Sequence, residues 1–135
     1  MSKFSLAHRL VREIRPPRRD EQRALDFLAR DPLPGGVLTG IHLGAMVPMD
    51  TGRHTYIGDC YWSLPDCYGR NTDSWLVLNW AKLAPRVADA FVFSTGAHFV
   101  LKDCREKWRV WHEIHSIVLA THHFGCATVY VLSSV

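Results

Sequence analysis

The stretch that decides the fold runs Asp103-Cys-Arg-Glu-Lys-Trp-Arg-Val-Trp-His-Glu-Ile-His-Ser-Ile-Val-Leu-Ala-Thr-His-His-Phe-Gly125. Val110, Ile114, Ile117 and Phe124 recur in it at helical spacing, and Gly125 stands where a left-handed helix C-cap belongs. The pattern predicts one long, largely buried helix.

Cys104 stands at the predicted start of this helix. Asp103 is a candidate N-cap, which places Cys104 at the first helical position, after the strand-like segment 97–102. The helix dipole, together with nearby cations such as Arg105, favours a thiolate at this position. A catalytic cysteine would lie here, although the commoner role of a free cysteine is that of a small buried apolar side chain.

The composition predicts a single soluble domain over residues 1–135. The chain is 47% hydrophobic, has no run of about 18 apolar residues and shows no secretory signal pattern. Its four cysteines could form two disulfides, but a domain of this size needs none for stability. We therefore expect an intracellular protein with reduced thiols.

The net charge of +3 is concentrated in the first 31 residues, which carry eight basic and five acidic side chains. We interpret residues 1–31 as a basic helical arm, and residues 37–135 as the α+β body. Such an arm can contact RNA phosphates, an acidic protein or an anionic membrane surface, while its ordinary role is a solvated helix face. The candidate nucleic-acid or partner-binding residues are Arg9, Arg12, Arg15, Arg18 and Arg19.

The rest of the chain alternates between helical and strand-like patterns. We expect a small, mostly antiparallel sheet packed on helices, that is, an α+β fold. The predicted helices cover 4–14, a segment that Asp20 caps and that stops before the Pro/Gly run 31–36, and about 75–83, ended by Pro85. The predicted strands cover 37–43, 54–64, 90–93, 98–101 and 127–132, with a turn at 48–52, a loop at 65–72 and a hairpin connection at 94–97.

Two short motifs resemble a known family. Arg53-His-Thr-Tyr-Ile-Gly-Asp-Cys-Tyr-Trp-Ser-Leu-Pro65 resembles the H-box of the lecithin:retinol acyltransferase-like and HRAS-like suppressor proteins. Asp103-Cys-Arg-Glu-Lys-Trp108 stands where that family has its Asn-Cys box, at the start of a helix. The resemblance implies a permuted papain-like fold of the NlpC/LRAT-like kind. In a thiol acyltransferase or phospholipase of this kind, Cys104 would be the nucleophile and His54 the base and later general acid. The backbone amide of Asp103 or of a neighbouring residue would be the oxyanion donor.

Some picornaviruses carry the same module as their 2A protein, and the chain looks most like a kobuvirus-type 2A protein. That resemblance implies a non-proteolytic protein in the host cell cytoplasm, which supports viral RNA replication by binding host or viral proteins. Asp103 replaces the family's asparagine, and the second histidine of the cellular enzymes has no counterpart near Ser63. In an alternative register, Thr95-Gly-Ala-His-Phe-Val100 matches the Asn-Cys box and Gly96 replaces the nucleophile.

Three other hypotheses compete with this assignment. Cys60 followed by His98 would give a papain-order pair, but Pro65 prevents a long helix after Cys60. A zinc site could use Cys60, Cys67 and His54, or His112, His115 and His122 on one helix face, but no Cys-x-x-Cys knuckle exists. We expect no metal and no cofactor. The remaining hypothesis is a small inhibitory or structural module, in which every cysteine serves packing.

Overall fold

The computed structural model describes residues 17–56, 84–105 and 110–133. It contains four strands, five α-helices and one 3-10 turn in these ranges. In chain order they are α1 Arg19–Arg30, β1 Gly36–Thr39, α2 Ile41–Gly44, α3 Met46–Thr51, α4 Pro85–Ser94, β2 Ala97–Lys102, α5 Val110–Ile114, the 3-10 turn His115–Ile117, β3 Val118–Phe124 and β4 Ala127–Leu132.

The four strands form one mixed sheet in the order β1-β2-β4-β3. β1 pairs with β2 in parallel, whereas β2–β4 and β3–β4 are antiparallel. The predicted α+β class and the mostly antiparallel sheet are therefore confirmed.

Helices cover both faces of the sheet. Successive strand residues point to opposite faces, so each strand contributes side chains to two hydrophobic clusters. Val37, Phe99 and Val129 pack with α1, α2 and α3, while Leu38 and Val100 pack with α4 and α5. Every residue of β4 is buried, as expected for a central strand with helices on both sides. The result is a three-layer arrangement, with the sheet between two groups of helices.

The helix predicted after an Asp20 cap is confirmed as α1, although it begins two residues earlier, with Arg18 as its N-cap. The carboxylate of Glu21 accepts a hydrogen bond from the backbone N–H of Arg18 at 2.8 Å, which satisfies a donor at the helix start. Asp20 is consequently inside the first turn and is not the N-cap. The predicted strands at 98–101 and 127–132 are also confirmed, as β2 and β4.

The long helix predicted over 103–125 is wrong. Its centre forms only α5 and the 3-10 turn, and residues 118–124 form the edge strand β3. Tertiary pairing overrides the helical spacing here, because β4 needs a hydrogen-bonding neighbour on the side away from β2. Gly125 does adopt the predicted positive φ of 60°, but in a two-residue hairpin loop between β3 and β4.

The hairpin predicted at 90–101 is also wrong in its first half. Residues 90–93 lie in α4, which begins at Pro85. A proline is well placed in the first turn of a helix, because its missing N–H would have no partner there. The strand predicted at 37–43 ends at Thr39, and α2 follows. The turn predicted at 48–52 is helix α3, with Gly52 as its left-handed cap.

Several predictions fall outside the described residues. These are the first helix at 4–14 with Arg9, Arg12 and Arg15, the H-box beyond Tyr56, the loop at 65–72 and the helix at 75–83. Cys60 and Cys67 belong to the same group.

Candidate functional site

The candidate nucleophile Cys104 is disulfide-bonded to Cys126, 22 residues further along the chain. Cys104 lies in a bend directly after β2, and Cys126 is the second residue of the β3–β4 loop. The expectations of a reduced thiol and of a first helical position are therefore both wrong for Cys104. Antiparallel pairing causes this, since Lys102 lies opposite Thr128 and so brings the two cysteines together.

Two carboxylates from the first turn of α1 hold the backbone of both cysteines. Glu21 is fully buried, and its Oε2 accepts a hydrogen bond from the N–H of Cys104 at 3.0 Å. Asp20 Oδ2 accepts one from the N–H of Cys126 at 3.2 Å. The amino end of a helix favours negative charge, so α1 supplies a suitable place for both acids. Asp20 approaches the loop closely because Gly125 has no side chain, and a Cβ there would run into the carboxylate.

Asp103 and His42 complete this polar group, which we call the Cys104 cluster (Asp20, Glu21, His42, Asp103, Cys104 and Cys126). Asp103 is only 2% exposed, and its Oδ1 accepts a hydrogen bond from the N–H of Arg105 at 2.8 Å. His42 Nε2 lies 3.6 Å from Glu21 Oε1. Because the N–H groups of Cys104 and Arg105 already donate to carboxylates, neither amide is free to bind a developing oxyanion in this geometry.

His54 lies at the other end of the β1–β2 pair. Its carbonyl accepts a hydrogen bond from the N–H of Val37 at 2.9 Å, and Gly36 lies opposite Ala97 at the start of β2. Cys104 follows the far end of that strand, so the two sites are separated by roughly 17 Å or more at the usual rise of a strand. The structure does not bring His54 and Cys104 together.

The histidines that we considered as zinc ligands do not share a helix face. His112 belongs to α5, His115 to the 3-10 turn and His122 to β3. The ring of His115 hydrogen-bonds through Nδ1 to backbone carbonyls of the preceding turn. The ring of His122 lies 4.4 Å from that of Phe27, measured between centroids. Both rings thus have local contacts that explain their positions.

Arg18 and Arg19, from the predicted partner-binding group, are exposed at the start of α1. Neither residue lines the cleft of about 530 Å³ that lies between α1 and β3. Phe27 and Phe124 form its apolar part, with ring centroids 5.6 Å apart, and the guanidinium of Arg23 lies 5.7 Å from the Phe124 ring. We call this the α1–β3 cleft; its lining residues are Arg23, Asp26, Phe27, Arg30, Asp31, Pro32 and Phe124.

Fold and site together define an α+β domain with a disulfide-linked acidic cluster at one end of α1 and an aromatic cleft along its side. Within 17–56, 84–105 and 110–133, none of the helices combines the length and apolar character needed to cross a bilayer. No protein family model matches the chain, and no curated protein or solved structure matches it either.

The sequence pointed to Cys104 and Asp103 but missed Cys126, Glu21 and His42 as their neighbours. The Asp20-Glu21 pair before an apolar helix indicated only a helix start. Their contacts with the cysteines join residues 83 and 106 positions apart, so they depend on tertiary structure.

Proposed function

We propose that this chain is a non-catalytic binding protein, with the role of the picornavirus 2A proteins that its motifs resemble. In that role it supports viral RNA replication by binding host or viral proteins in the host cell cytoplasm. The permuted papain-like fold is part of the same proposal. Its support is the H-box resemblance, together with the position of His54 and Tyr56 beside β1, where both hydrogen-bond to Val37.

One observation carries the choice of a binding role over a catalytic one: the sulfur of Cys104 is bonded to Cys126, away from His54. A thiol acyltransferase needs a thiolate and an imidazole within hydrogen-bond reach of one another. Here the candidate base lies beside the start of β1, near the opposite end of the β1–β2 pair, and the amides next to the sulfur donate to carboxylates. The alternative of a cysteine-dependent acyltransferase or phospholipase therefore finds little support in this geometry.

The α1–β3 cleft is the surface best suited to a protein partner. Its apolar centre of Phe27 and Phe124 is bordered by charged side chains, which is the usual anatomy of a protein interface. The border carries two arginines and two aspartates, so it suits a segment that presents an apolar side chain between charges of both signs. RNA fits less well, because Asp26 and Asp31 would repel its phosphates.

Charge reversal at the border tests this proposal without disturbing the core. Arg30 is exposed at the cleft, and Arg86 is exposed on α4 at the opposite face of the sheet, so Arg86→Glu is a matched control for Arg30→Glu. In proximity labelling with the full chain, we expect Arg30→Glu to reduce recovery of specific protein partners roughly tenfold, since a like-charge contact is costly. Arg86→Glu should change little. Equal recovery with both variants would remove the cleft from the proposal.

A separate measurement addresses the catalytic alternative. The reduced full chain is incubated with phosphatidylcholine vesicles, and Cys104 is examined for an acyl adduct by peptide mass. We expect no adduct above the level seen in His54→Ala. An adduct on Cys104 that requires His54 would instead establish the acyltransferase and contradict a purely binding role.

A further inference from the structure

Three side chains with metal-ligating atoms meet at the Cys104 cluster. A carboxylate oxygen of Asp20 and the sulfurs of Cys104 and Cys126 all lie within 4.8 Å of one another. They come from the first turn of α1, the bend after β2 and the β3–β4 loop. Over the described ranges, no other group of three His, Cys, Asp or Glu side chains is this close.

The two cysteines are held near each other by more than their disulfide. The Cys104 N–H donates to buried Glu21, and the Cys126 N–H donates to Asp20, so adjacent residues of one helical turn fix both backbones. The β2–β4 and β3–β4 pairings fix the flanking residues Lys102 and Ala127. Reduction would therefore leave two thiols facing the same carboxylate, with their Cα atoms about as close as the present 4.9 Å.

Two thiolates beside a carboxylate form a strongly anionic group that a soft divalent cation would stabilise. Zinc binds cysteine sulfur at about 2.3 Å and carboxylate oxygen at about 2.0 Å, so a tetrahedral ion needs these atoms roughly 3.5 to 3.8 Å apart. Side-chain rotation can reach this spacing from the observed one, once the sulfurs are no longer bonded. Cys126 is exposed and Asp20 only half-buried, so a water molecule can take the fourth position.

We infer that the reduced protein binds one zinc ion through Asp20, Cys104 and Cys126, and that a small-molecule disulfide oxidant releases it. The oxidant accepts two electrons and leaves as two thiolates, while the Cys104–Cys126 bond forms and both Zn–S bonds break. Reduction breaks the S–S bond, and a dithiol reductant supplies two electrons and two protons and leaves as its own disulfide. Zinc binding then displaces one proton from each thiol to solvent as the two Zn–S bonds form. The two sulfurs thus form either the disulfide or the two Zn–S bonds, and never both.

Zinc affinity of the reduced full chain tests the inference. Cys60→Ser and Cys67→Ser are introduced together to remove the other two cysteines. The protein is reduced with a phosphine and desalted without oxygen, and zinc is then titrated against a chromophoric chelator. We expect one zinc per chain when reduced and none when oxidised. Asp20→Asn should weaken binding at least roughly tenfold, because even the loss of a side chain that only supports a metal ligand costs that much.

Asp26→Asn is the matched control, because Asp26 is an exposed carboxylate on the same helix. It should bind zinc as the parent does. Equal affinities of Asp20→Asn and Asp26→Asn, or no zinc in the reduced protein, would overturn the inference. Cobalt provides a spectroscopic signature, since its thiolate charge-transfer absorption should be lost in Cys126→Ser.

A second measurement uses the unaltered chain and does not depend on how the serine variants fold. Iodoacetamide labelling of each cysteine is resolved by peptide mass, with and without zinc. We expect zinc to slow labelling of Cys104 and Cys126 at least tenfold, roughly the effect of burying a thiolate in a metal bond. Protection confined to Cys60 and Cys67 would also overturn the inference.

Discussion

The two ends of α1 are held by opposite chemistry. At the carboxyl end, the guanidinium of Arg53 donates hydrogen bonds of 2.7 to 3.0 Å to backbone carbonyls and stacks 4.5 Å from the centre of the Phe99 ring. The carbonyls that it binds belong to Leu28, Asp31, Leu33 and Gly35. At the amino end, the carboxylates of Asp20 and Glu21 accept hydrogen bonds from the backbone of the two cysteines.

The contacts of Arg53 are a fixed attachment of α1, whereas the contacts at its amino end are an attachment that responds to redox conditions. Arginine does not deprotonate in proteins, and its planar fork matches several carbonyls at once, so the Arg53 end is the same in every redox state. The amino end instead includes a disulfide, which reductants break. A single helix can therefore stay anchored at one end while the other changes its chemistry.

The largest expected effect comes from removing the fixed attachment. Arg53→Ala leaves four carbonyls without their charged donor and exposes the face of Phe99, so we expect a loss of about 3 to 4 kcal/mol in the free energy of unfolding. Arg53→Lys should recover less than half of this loss, because one ammonium cannot reach all four carbonyls. Urea unfolding measures both variants. Arg86→Ala is the control, and a loss for Arg53→Ala no larger than that of Arg86→Ala would contradict the role of Arg53.

Reducing the Cys104–Cys126 disulfide should have the next largest effect on the free energy of unfolding. The Cys104–Cys126 bond closes a loop of 22 residues, which in the chain-entropy account stabilises the fold by about 3 kcal/mol. Metal-free reduction should lower the free energy of unfolding by up to this amount. Amide hydrogen exchange should rise in the first turn of α1 and at Cys126, and should stay unchanged near Arg53. Equal acceleration at both ends of α1 would show that they are not independent.

The parts of the fold that the sequence predicted are those with an unambiguous local signal. The second helix has an acidic start, an inward apolar face and a Pro/Gly end, and it forms as α1. The last apolar run forms the buried strand β4, as expected from its β-branched residues. In both segments, the local preference and the tertiary surroundings favour the same structure.

The errors come from signals that two structures share. Residues 90–93 were predicted to form a strand from their apolar character, but a helix can bury the same side chains, and they lie in α4. Gly125 was predicted to cap a helix, but the same positive φ serves the hairpin that joins β3 to β4. Pairing with β4 decides the second case, and that pairing is invisible in a local window. The neighbours of Cys104 and Asp103 were missed for the same reason, since Asp20 contacts Cys126 although the two residues are 106 positions apart in the sequence.

Substitutions at two glycines with similar backbone conformation measure the contact between α1 and the β3–β4 loop separately from backbone strain. Gly96 has φ 72° and open space around it, whereas Gly125 has φ 60° and faces the Asp20 carboxylate. Gly96→Ala should therefore cost only the strain of a left-handed alanine, about 1 kcal/mol. Gly125→Ala adds a clash with Asp20 and should cost about 2 kcal/mol in the oxidised protein, measured by urea unfolding. In an Asp20→Ala background the clash disappears, so the two alanine substitutions should then cost the same. If Gly125→Ala already matches Gly96→Ala with Asp20 present, the carboxylate does not lie against the loop, and the amino end of α1 is held by Glu21 and the disulfide alone.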